Sequence, residues 1–272
     1  MSDFTPMIKQ YLEVKSNYND CIIFYRLGDF YEMFFEDAKV VSKILDLALT
    51  KRDCGGGNTA PMCGIPHHVV KPYLYKLVSE GFKVAICEQV QDPKLAKGIV
   101  KREVIKLVTP GTIDEFDEIA GNKNNYIMSI YMDSTNLSIT YSDISTSEIF
   151  STSIFEMNRD NLITILEEEV IRINPSEVII NSNILKSLEK SINKLFKNLR
   201  IMNTKVDIDL NFKSLIDNNK EFYKDNLNNK ILLFSVDNFY SYVCRFNVKL
   251  NDFKNINIYK LTDYLRIDAN SR

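Results

Sequence analysis

The feature that most constrains the fold of this chain is the pair Gly28-Asp29, which stands between two aromatic and apolar runs. The first run covers residues 21–25 and the second covers residues 30–35. Gly-Asp between two β-prone segments is typical of a two-residue hairpin turn. The sequence therefore predicts a strand that begins at Phe30.

A strand would place Phe30, Glu32 and Phe34 on one face, because successive side chains alternate between the two faces. A helix would instead separate Phe30 and Glu32 by about 200°, at roughly 100° per residue. A carboxylate between two phenylalanines is costly in a dry core. Two interpretations remain open. Either Phe30 is a core residue and Glu32 is solvated, or this face leaves the core at Phe30 and offers a ring and an acceptor to a ligand. Aromatic wedges can kink duplex DNA from its minor groove.

Length and charge limit the kinds of partner. The 272 residues exceed a typical single domain of about 100 to 200 residues, so two domains are predicted.

The charge is distributed unevenly between the two parts of the chain. Residues 1–113 hold 15 basic and 13 acidic side chains, whereas residues 114–272 hold 19 basic and 23 acidic ones. With a net charge of −2, the chain can bind a nucleic acid only through local basic patches.

The cysteine pattern and the N-terminal residues bear on the compartment. Five cysteines without a C-x-x-C pair argue against a disulfide framework or a zinc knuckle and favour a reducing compartment. The first ten residues lack the pattern of a signal peptide, and no run approaches the roughly 18 apolar residues of a membrane span. We expect a cytoplasmic protein without a membrane partner.

The first 113 residues read as a mixture of helices and strands. Helices are predicted to start at Thr5-Pro6, to run from Glu36 to about Thr50, and to follow His68 up to Gly81; strands are predicted at 82–88 and 100–108. Residues 53–61 contain three consecutive glycines. No Gly-Lys-Ser/Thr follows them, so we expect a surface loop rather than a phosphate-binding loop.

The strand predicted at 100–108 carries charge on both faces, which is typical of an edge or ligand-facing strand. If the ligand is DNA, Lys101 and Arg102 on this strand, together with Arg52, are the basic residues that we assign to its phosphates. Such contacts position a protein on the duplex without reading its sequence.

The second part of the chain follows an acidic segment at 114–123, which we interpret as a linker. Three strands, a helix, a strand and a helix are predicted after it, within residues 124–235. This order indicates a mixed sheet flanked by helices, so the whole chain is assigned to the α/β (α+β) class. A further helix is predicted at 232–250.

Several stretches together resemble one family. FYRLGDFYEMFFEDA is similar to the Phe-x-Glu mismatch-reading element of the bacterial MutS family of DNA mismatch repair proteins. TPMIKQYLEVK, LDLALTKR, PMCGIPHHVV, YLYKLVSEGFKVAICEQVQDP, KGIVKREVIKLVTPGT and SDISTSE agree with that family in order and spacing. The resemblance implies a mixed-sheet mismatch-recognition domain at 1–113 and a ribonuclease-H-like connector domain at 124–235. An exit helix and the start of a helical core would then occupy 236–272.

The resemblance also implies roles for residues. Phe30 would enter the minor groove and stack on the mispaired base, and Glu32 would hydrogen-bond that base. His67 and His68, at a helix start, would approach the DNA backbone. The expected partner is double-stranded DNA that contains mismatches or small loops.

The rest of a MutS-like protein is expected outside this chain. The resemblance implies a parent that is a homodimer, binds ATP and Mg²⁺ in a C-terminal ATPase domain, and works beside the nucleoid in the cytoplasm. The MutL partner is expected on the connector domain. The chain itself is predicted to hold no cofactor and no metal and to be no enzyme.

Two other functions remain open. Ribonuclease-H-like folds can hold two metal ions through clustered carboxylates and cut phosphodiesters, and Asp143 stands at a strand end where a first ligand could lie. The segment Asp143-Ile144-Ser145-Thr146 equally fits an Asx-type turn. The third possibility is an interaction scaffold of the same family that does not use DNA, against which the presence of both Phe30 and Glu32 argues.

Overall fold

A computed structural model describes residues 4–91, 98–116, 124–181, 186–199, 201–206, 219–246 and 256–261. The chain divides into two compact units, Met1–Glu118 and Ile119–Arg272. The described residues of each unit form a six-stranded mixed sheet with helices, which confirms the predicted α/β class. In the described ranges, no helix combines the length and the apolar character that crossing a membrane requires.

The elements of the first unit are α1 (Pro6–Asn17), β1 (Cys21–Leu27), β2 (Phe30–Phe34), α2 (Phe35–Leu45), β3 (Thr50–Gly55), β4 (Asn58–Pro66), α3 (Val70–Ser79), β5 (Lys83–Gln89) and β6 (Arg102–Val108). Short 3-10 helices occupy His67–Val69 and Pro110–Phe116. The strands form one sheet in the order β3-β4-β2-β1-β5-β6. Among these neighbours β1 and β5 run parallel, and the other pairs are antiparallel.

The predicted hairpin is confirmed. Leu27 pairs with Phe30 across the two-residue turn, and Gly28 takes the left-handed φ of +56° that this turn needs. Phe30, Glu32 and Phe34 alternate with Tyr31 and Met33 along β2, and the second set is buried. The strand therefore presents Phe30 and Glu32 to the same side, as the alternation predicted.

The two faces of this sheet are covered to different extents. Tyr31 and Met33 belong to the main core, where α2 and α3 pack through Val41, Leu74 and similar side chains. On the other face, helix α1 places the Tyr11 ring 5.0 Å from the ring of Phe34. Along β2, this second face changes from fully buried at Phe34 to half exposed at Phe30.

Helix α1 is fixed by a buried charged group. The Asp37 carboxylate accepts hydrogen bonds from the Tyr11 hydroxyl at 3.3 Å, from Lys15 Nζ at 2.9 Å and from the backbone N–H of Ile23 at 3.1 Å. Burial, followed by the neighbouring Asp37 charge, raises the pKa of Tyr11 above its usual range. Three donors thus compensate the burial of this carboxylate and join α1, β1 and α2.

Two predictions between α2 and α3 were wrong. Helix α2 ends at Leu45 rather than near Thr50, because Asp46 adopts a left-handed backbone with φ of +54°. The predicted loop at 53–61 is instead a hairpin of β3 and β4 that turns at Gly56-Gly57, both at positive φ. Cys54 and Ala60 are buried in it.

The second unit has the strand order β11-β10-β7-β8-β9-β12. Helices α4 and α5 pack on one face of its sheet, and helix α7 packs on the other. The predicted order β-β-β-α-β-α is confirmed, and β11 and β12 are added at the edges. The elements are β7 (Tyr126–Met132), β8 (Leu137–Asp143), β9 (Glu148–Ile154), α4 (Arg159–Ile173), β10 (Glu177–Asn181), α5 (Lys186–Leu199), β11 (Met202–Val206), α6 (Lys220–Asp225), α7 (Lys230–Val243) and β12 (Ile256–Ile258).

The predicted end of the second domain at 235 falls inside α7. This helix buries Val236 and Phe239 against Ile127 and Ile179 of the sheet, so it belongs to the unit and is not an exit helix. It ends at Val243 rather than at residue 250. Strand β12 continues the sheet beside β9. The predicted start of a helical core at 264–272 and most of the predicted linker lie outside the described residues.

Arg102 is a structural residue, contrary to our assignment of it to a phosphate. Its side chain is buried, with a relative exposure of 8% for the residue. The guanidinium donates to the carbonyl of Arg26 at 2.7 Å, to Gln10 Oε1 at 3.1 Å and to the carbonyl of Val100 at 2.9 Å. It also lies 5.1 Å from the centre of the Tyr25 ring. Because Arg102 is buried and three of its N–H bonds already point to internal acceptors, it is not a candidate DNA contact.

Replacing Arg102 should therefore destabilise the first unit. Arg102→Met takes away the donor of three hydrogen bonds to partly buried acceptors, and we expect the free energy of unfolding to fall by about 1–3 kcal/mol. The exposed neighbour Lys101 provides the control, and Lys101→Met should stay within about 0.5 kcal/mol of the unchanged protein. Urea unfolding measures both. Equal stability of the two variants would contradict the buried network.

Candidate nucleic-acid interface

Phe30 and Glu32 lie side by side at the uncovered end of the sheet face beside α1. Phe30 has a relative exposure of 46% for the residue, an unusual fraction for a large apolar residue on a central strand. Gly64 of β4 is the cross-strand partner of Glu32. A Cβ atom at Gly64 would lie 3.6 Å from Glu32 Cγ and 3.8 Å from Phe30 Cδ1. The glycine thus leaves room beneath both the ring and the carboxylate.

Glu32 forms an ion pair with Arg52. Arg52 Nη1 donates to Glu32 Oε2, and the relative exposures of the two side chains are 36% and 14%. Arg52 belongs to β3 and Glu32 to β2, so the guanidinium reaches across β4 to the carboxylate. Two residues that the sequence assigned to a base and to a phosphate therefore bind each other.

The turn that presents Phe30 is held by His67. The backbone N–H of His67 donates to the carbonyl of Asp29 at 2.8 Å, and Nδ1 of its ring lies 3.2 Å from the same oxygen. His68 is exposed, and its ring centre lies 5.8 Å from that of His67. Both histidines therefore lie near Phe30, at the end of the sheet where β1 turns into β2.

Tyr31 anchors β2 from the opposite face. Its hydroxyl donates to Glu88 Oε1, and Arg26 Nη1 lies 3.5 Å from the same oxygen. Burial, and then the hydrogen bond to Glu88, raise the pKa of Tyr31 to about 12. Sequence reasoning missed the roles of Tyr31 and Gly64. The alternation along β2 indicates that Tyr31 faces the core. Its partner Glu88 and the position of Gly64 opposite Glu32 depend on the pairing of strands that are distant in the sequence.

Lys101 is the remaining basic candidate. It immediately precedes β6, which is the edge strand on the side of the sheet opposite to β3. Lys101 Nζ lies 2.6 Å from Glu103 Oε1, and this hydrogen bond raises the pKa of Lys101. Both side chains are exposed, and exposed pairs of this kind contribute little to stability. Lys101 is thus accessible to an anion but lies apart from Arg52.

Asp143 lies in a turn of the second unit. Its carboxylate accepts hydrogen bonds from the backbone N–H of Asn125 at 2.8 Å, from that of Ser145 at 2.8 Å and from the Ser145 hydroxyl at 2.6 Å. This geometry favours the Asx-type turn over a metal ligand. In the described ranges, no three His, Cys, Asp or Glu residues come together in a way that could hold a metal ion.

Both units are similar to known proteins. The family models described as MutS domain I and MutS domain II match residues 5–117 and 125–243. The chain is 46% identical over 276 residues to the DNA mismatch repair protein MutS of Clostridium botulinum (strain 657 / Type Ba4), which covers 98% of this chain and 28% of that protein. It is 43% identical over 272 residues to the protein of the same name from Clostridium tetani (strain Massachusetts / E88), covering 98% and 30%. The chain thus spans less than a third of the length of these curated relatives.

A solved structure of a fowlpox virus resolvase with its substrate Holliday junction DNA is similar to 47% of this chain and to 91% of the resolvase chain. The identity is 17% and the TM-score is 0.26. A similarity at this level carries no argument about fold or function.

The two domain matches follow each other in the same order as the two compact units. The curated relatives match almost the whole chain at 43% to 46% identity. The resemblance that the Phe30-Tyr31-Glu32 stretch indicated is therefore confirmed, and the chain belongs to the MutS family.

Proposed function

We propose that this chain is the part of a DNA mismatch repair protein that detects mispaired bases. The observation that carries the proposal is the half-exposed Phe30 ring, held beside the Glu32 carboxylate at an uncovered end of a sheet face. The ring enters the minor groove and stacks on a mispaired or unpaired base. The carboxylate accepts a hydrogen bond from that base.

Discrimination follows from the mechanics of DNA. Inserting a side chain between base steps requires that they unstack, which costs a few kcal/mol at a sound step. A mispaired step is already weakened, so the same insertion costs less there. Phe30 therefore selects steps that deform easily, and Glu32 adds one directional contact to the base that becomes accessible.

Glu32 also places a negative charge beside a polyanion. The part of its charge that the protein does not compensate opposes binding to an intact duplex, where no base offers a hydrogen bond in return. The carboxylate thus increases selectivity by weakening the wrong complex as well as by stabilising the right one.

The other parts of the activity are assigned to a longer protein. The relatives are more than three times as long as this chain. ATP and Mg²⁺ binding, dimer formation and the ATPase reaction would depend on their remaining regions. The chain itself would act without catalysis or cofactor, contact MutL through its second unit, and work in the cytoplasm beside the nucleoid. Arg52, His67, His68 and Lys101 remain candidates for contacts to the DNA backbone.

Replacing Phe30 tests the proposal directly. Phe30→Ala removes a stacking surface worth roughly 1–3 kcal/mol per base, so affinity for a duplex with one mismatch should fall towards that for the matched duplex. Affinity for the matched duplex should barely change. Fluorescence anisotropy with the full-length product of the gene measures both. Phe155 is similarly exposed in the second unit, and Phe155→Ala should alter neither affinity. An equal loss on both duplexes, or an unfolded first unit, would make Phe30 a core residue and end the proposal.

Replacing Glu32 should have a different effect. Glu32→Ala removes a repulsive charge and one base hydrogen bond, so binding to the matched duplex should become tighter and the preference for the mismatch should shrink. Titrations of both duplexes at one fixed salt concentration measure the change. Glu36 is exposed at the start of α2, and Glu36→Ala serves as a control for the loss of one carboxylate. Weaker binding of Glu32→Ala to the matched duplex would contradict the repulsive role.

The nuclease alternative predicts a different result at Asp143. If this residue only closes a turn, Asp143→Asn should lower the free energy of unfolding by about 1–3 kcal/mol. Neither the unchanged chain nor the variant should cleave DNA in the presence of Mg²⁺ or Mn²⁺. Incubation with a supercoiled plasmid checks this. Metal-dependent nicking that disappears in the variant would establish the nuclease.

A further inference from the structure

The Arg52–Glu32 ion pair raises a question that the proposed function leaves open. A carboxylate beside the DNA-inserting ring repels phosphates at every site that the protein searches, matched or not. In the structure this carboxylate is not alone, because Arg52 Nη1 donates to Glu32 Oε2. The compensating charge comes from β3 of the same unit.

We propose that Arg52 is an internal counter-ion that masks Glu32 on intact DNA and releases it at a mismatch. This inference rests on the proposed function and adds a specificity-determining residue to it. On a matched duplex the pair stays closed and presents little net charge. At a mismatch the Glu32 carboxylate exchanges its bond to Arg52 for a bond to the base, and water takes the place of the carboxylate at the guanidinium.

The geometry of the ion pair keeps the free-energy cost of this exchange small. The Arg52 side chain is 36% exposed, so water or a phosphate can replace the carboxylate at its donors. A guanidinium carries five N–H donors, and its bond to Glu32 occupies only part of them. Arg102 provides the contrast: it is buried and donates to three internal acceptors, so it cannot move in this way.

The surroundings of Glu32 allow the carboxylate to turn. A Cβ atom at its cross-strand partner Gly64 would lie in ordinary van der Waals contact with Glu32 Cγ at 3.6 Å and with Phe30 Cδ1 at 3.8 Å, and with glycine there no side chain packs against the carboxylate from that position. The carboxylate can therefore move from the guanidinium towards a base stacked on Phe30 while its backbone stays in β2.

The decisive measurement is the discrimination ratio, defined as the dissociation constant for a matched duplex divided by that for the same duplex with one mismatch. It is measured with the full-length product of the gene at one salt concentration. Arg52→Met unmasks Glu32, so matched binding should weaken more than mismatch binding. The ratio should rise about 1.5- to fivefold, the range that corresponds to an exposed ion pair.

The same substitution is then made in a Glu32→Gln background, where no charge needs masking. There Arg52→Met should weaken both duplexes by the same factor and leave the ratio unchanged. Arg52→Lys keeps the positive charge and should stay near the ratio of the unchanged protein. Lys51 lies next to Arg52 but on the opposite face of β3, so Lys51→Met controls for the loss of one exposed positive charge and should leave the ratio unchanged.

Three results would overturn the counter-ion. An equal loss on both duplexes in both backgrounds would make Arg52 an ordinary phosphate ligand. A lower ratio in Arg52→Met would make it part of the mismatch contact. A higher ratio in Arg52→Lys would show that charge is not the cause. Thermal melting confirms that each variant folds, and Arg52→Gln replaces Arg52→Met if the latter does not.

Failure of the proposed function gives a separate result. If the unchanged protein binds matched and mismatched duplexes equally, mismatch detection is wrong. In that case the affinities for the matched duplex still test whether Arg52 acts as the counter-ion of Glu32. A counter-ion requires that Arg52→Met weaken matched binding more beside Glu32 than beside Glu32→Gln, and equal losses would reject it.

Discussion

The incomplete cover on one face of the first sheet is the constraint on which the candidate site depends. Strand β2 alternates strictly, so Phe30, Glu32 and Phe34 must share a face. Helix α1 covers that face only as far as Phe34, which Tyr11 contacts. Because the other face is sealed through Tyr31 and Met33, the strand can leave its first residues open without losing its core. One strand thus serves both stability and recognition.

The charged groups on this face have fewer internal hydrogen-bond partners the nearer they lie to its open end. Asp37 is buried and accepts three hydrogen bonds, and Arg102 is buried and donates three, so both are fixed. Glu32 lies nearer the open end and has the partly exposed Arg52 as its partner. The number of internal partners decreases towards solvent, and with it the cost of exchanging one partner for another.

Local patterns in the sequence predict much of this architecture. The turn at Gly28-Asp29, the alternation from Phe30 and the β-β-β-α-β-α order all depend on neighbours within a few residues. The hairpin of β3 and β4 was missed because glycines in succession also suit a loop, and their pairing is set by tertiary burial of Cys54 and Ala60. The partner of Arg52 could not be predicted, since it requires the register of three strands.

The charge of the chain is consistent with recognition through deformability. Residues 1–113 carry only two more basic than acidic side chains, too few to hold a duplex by phosphate neutralisation alone. A ring that is inserted at weakened steps needs little electrostatic attraction at the point of insertion, since excess attraction would stabilise matched and mismatched complexes alike. Neutralising Glu32 within the protein, rather than surrounding it with several cations, keeps this local charge low. A tip whose carboxylate has one internal counter-ion therefore attracts matched DNA less than a strongly basic tip would, and most of the affinity must come from other surfaces.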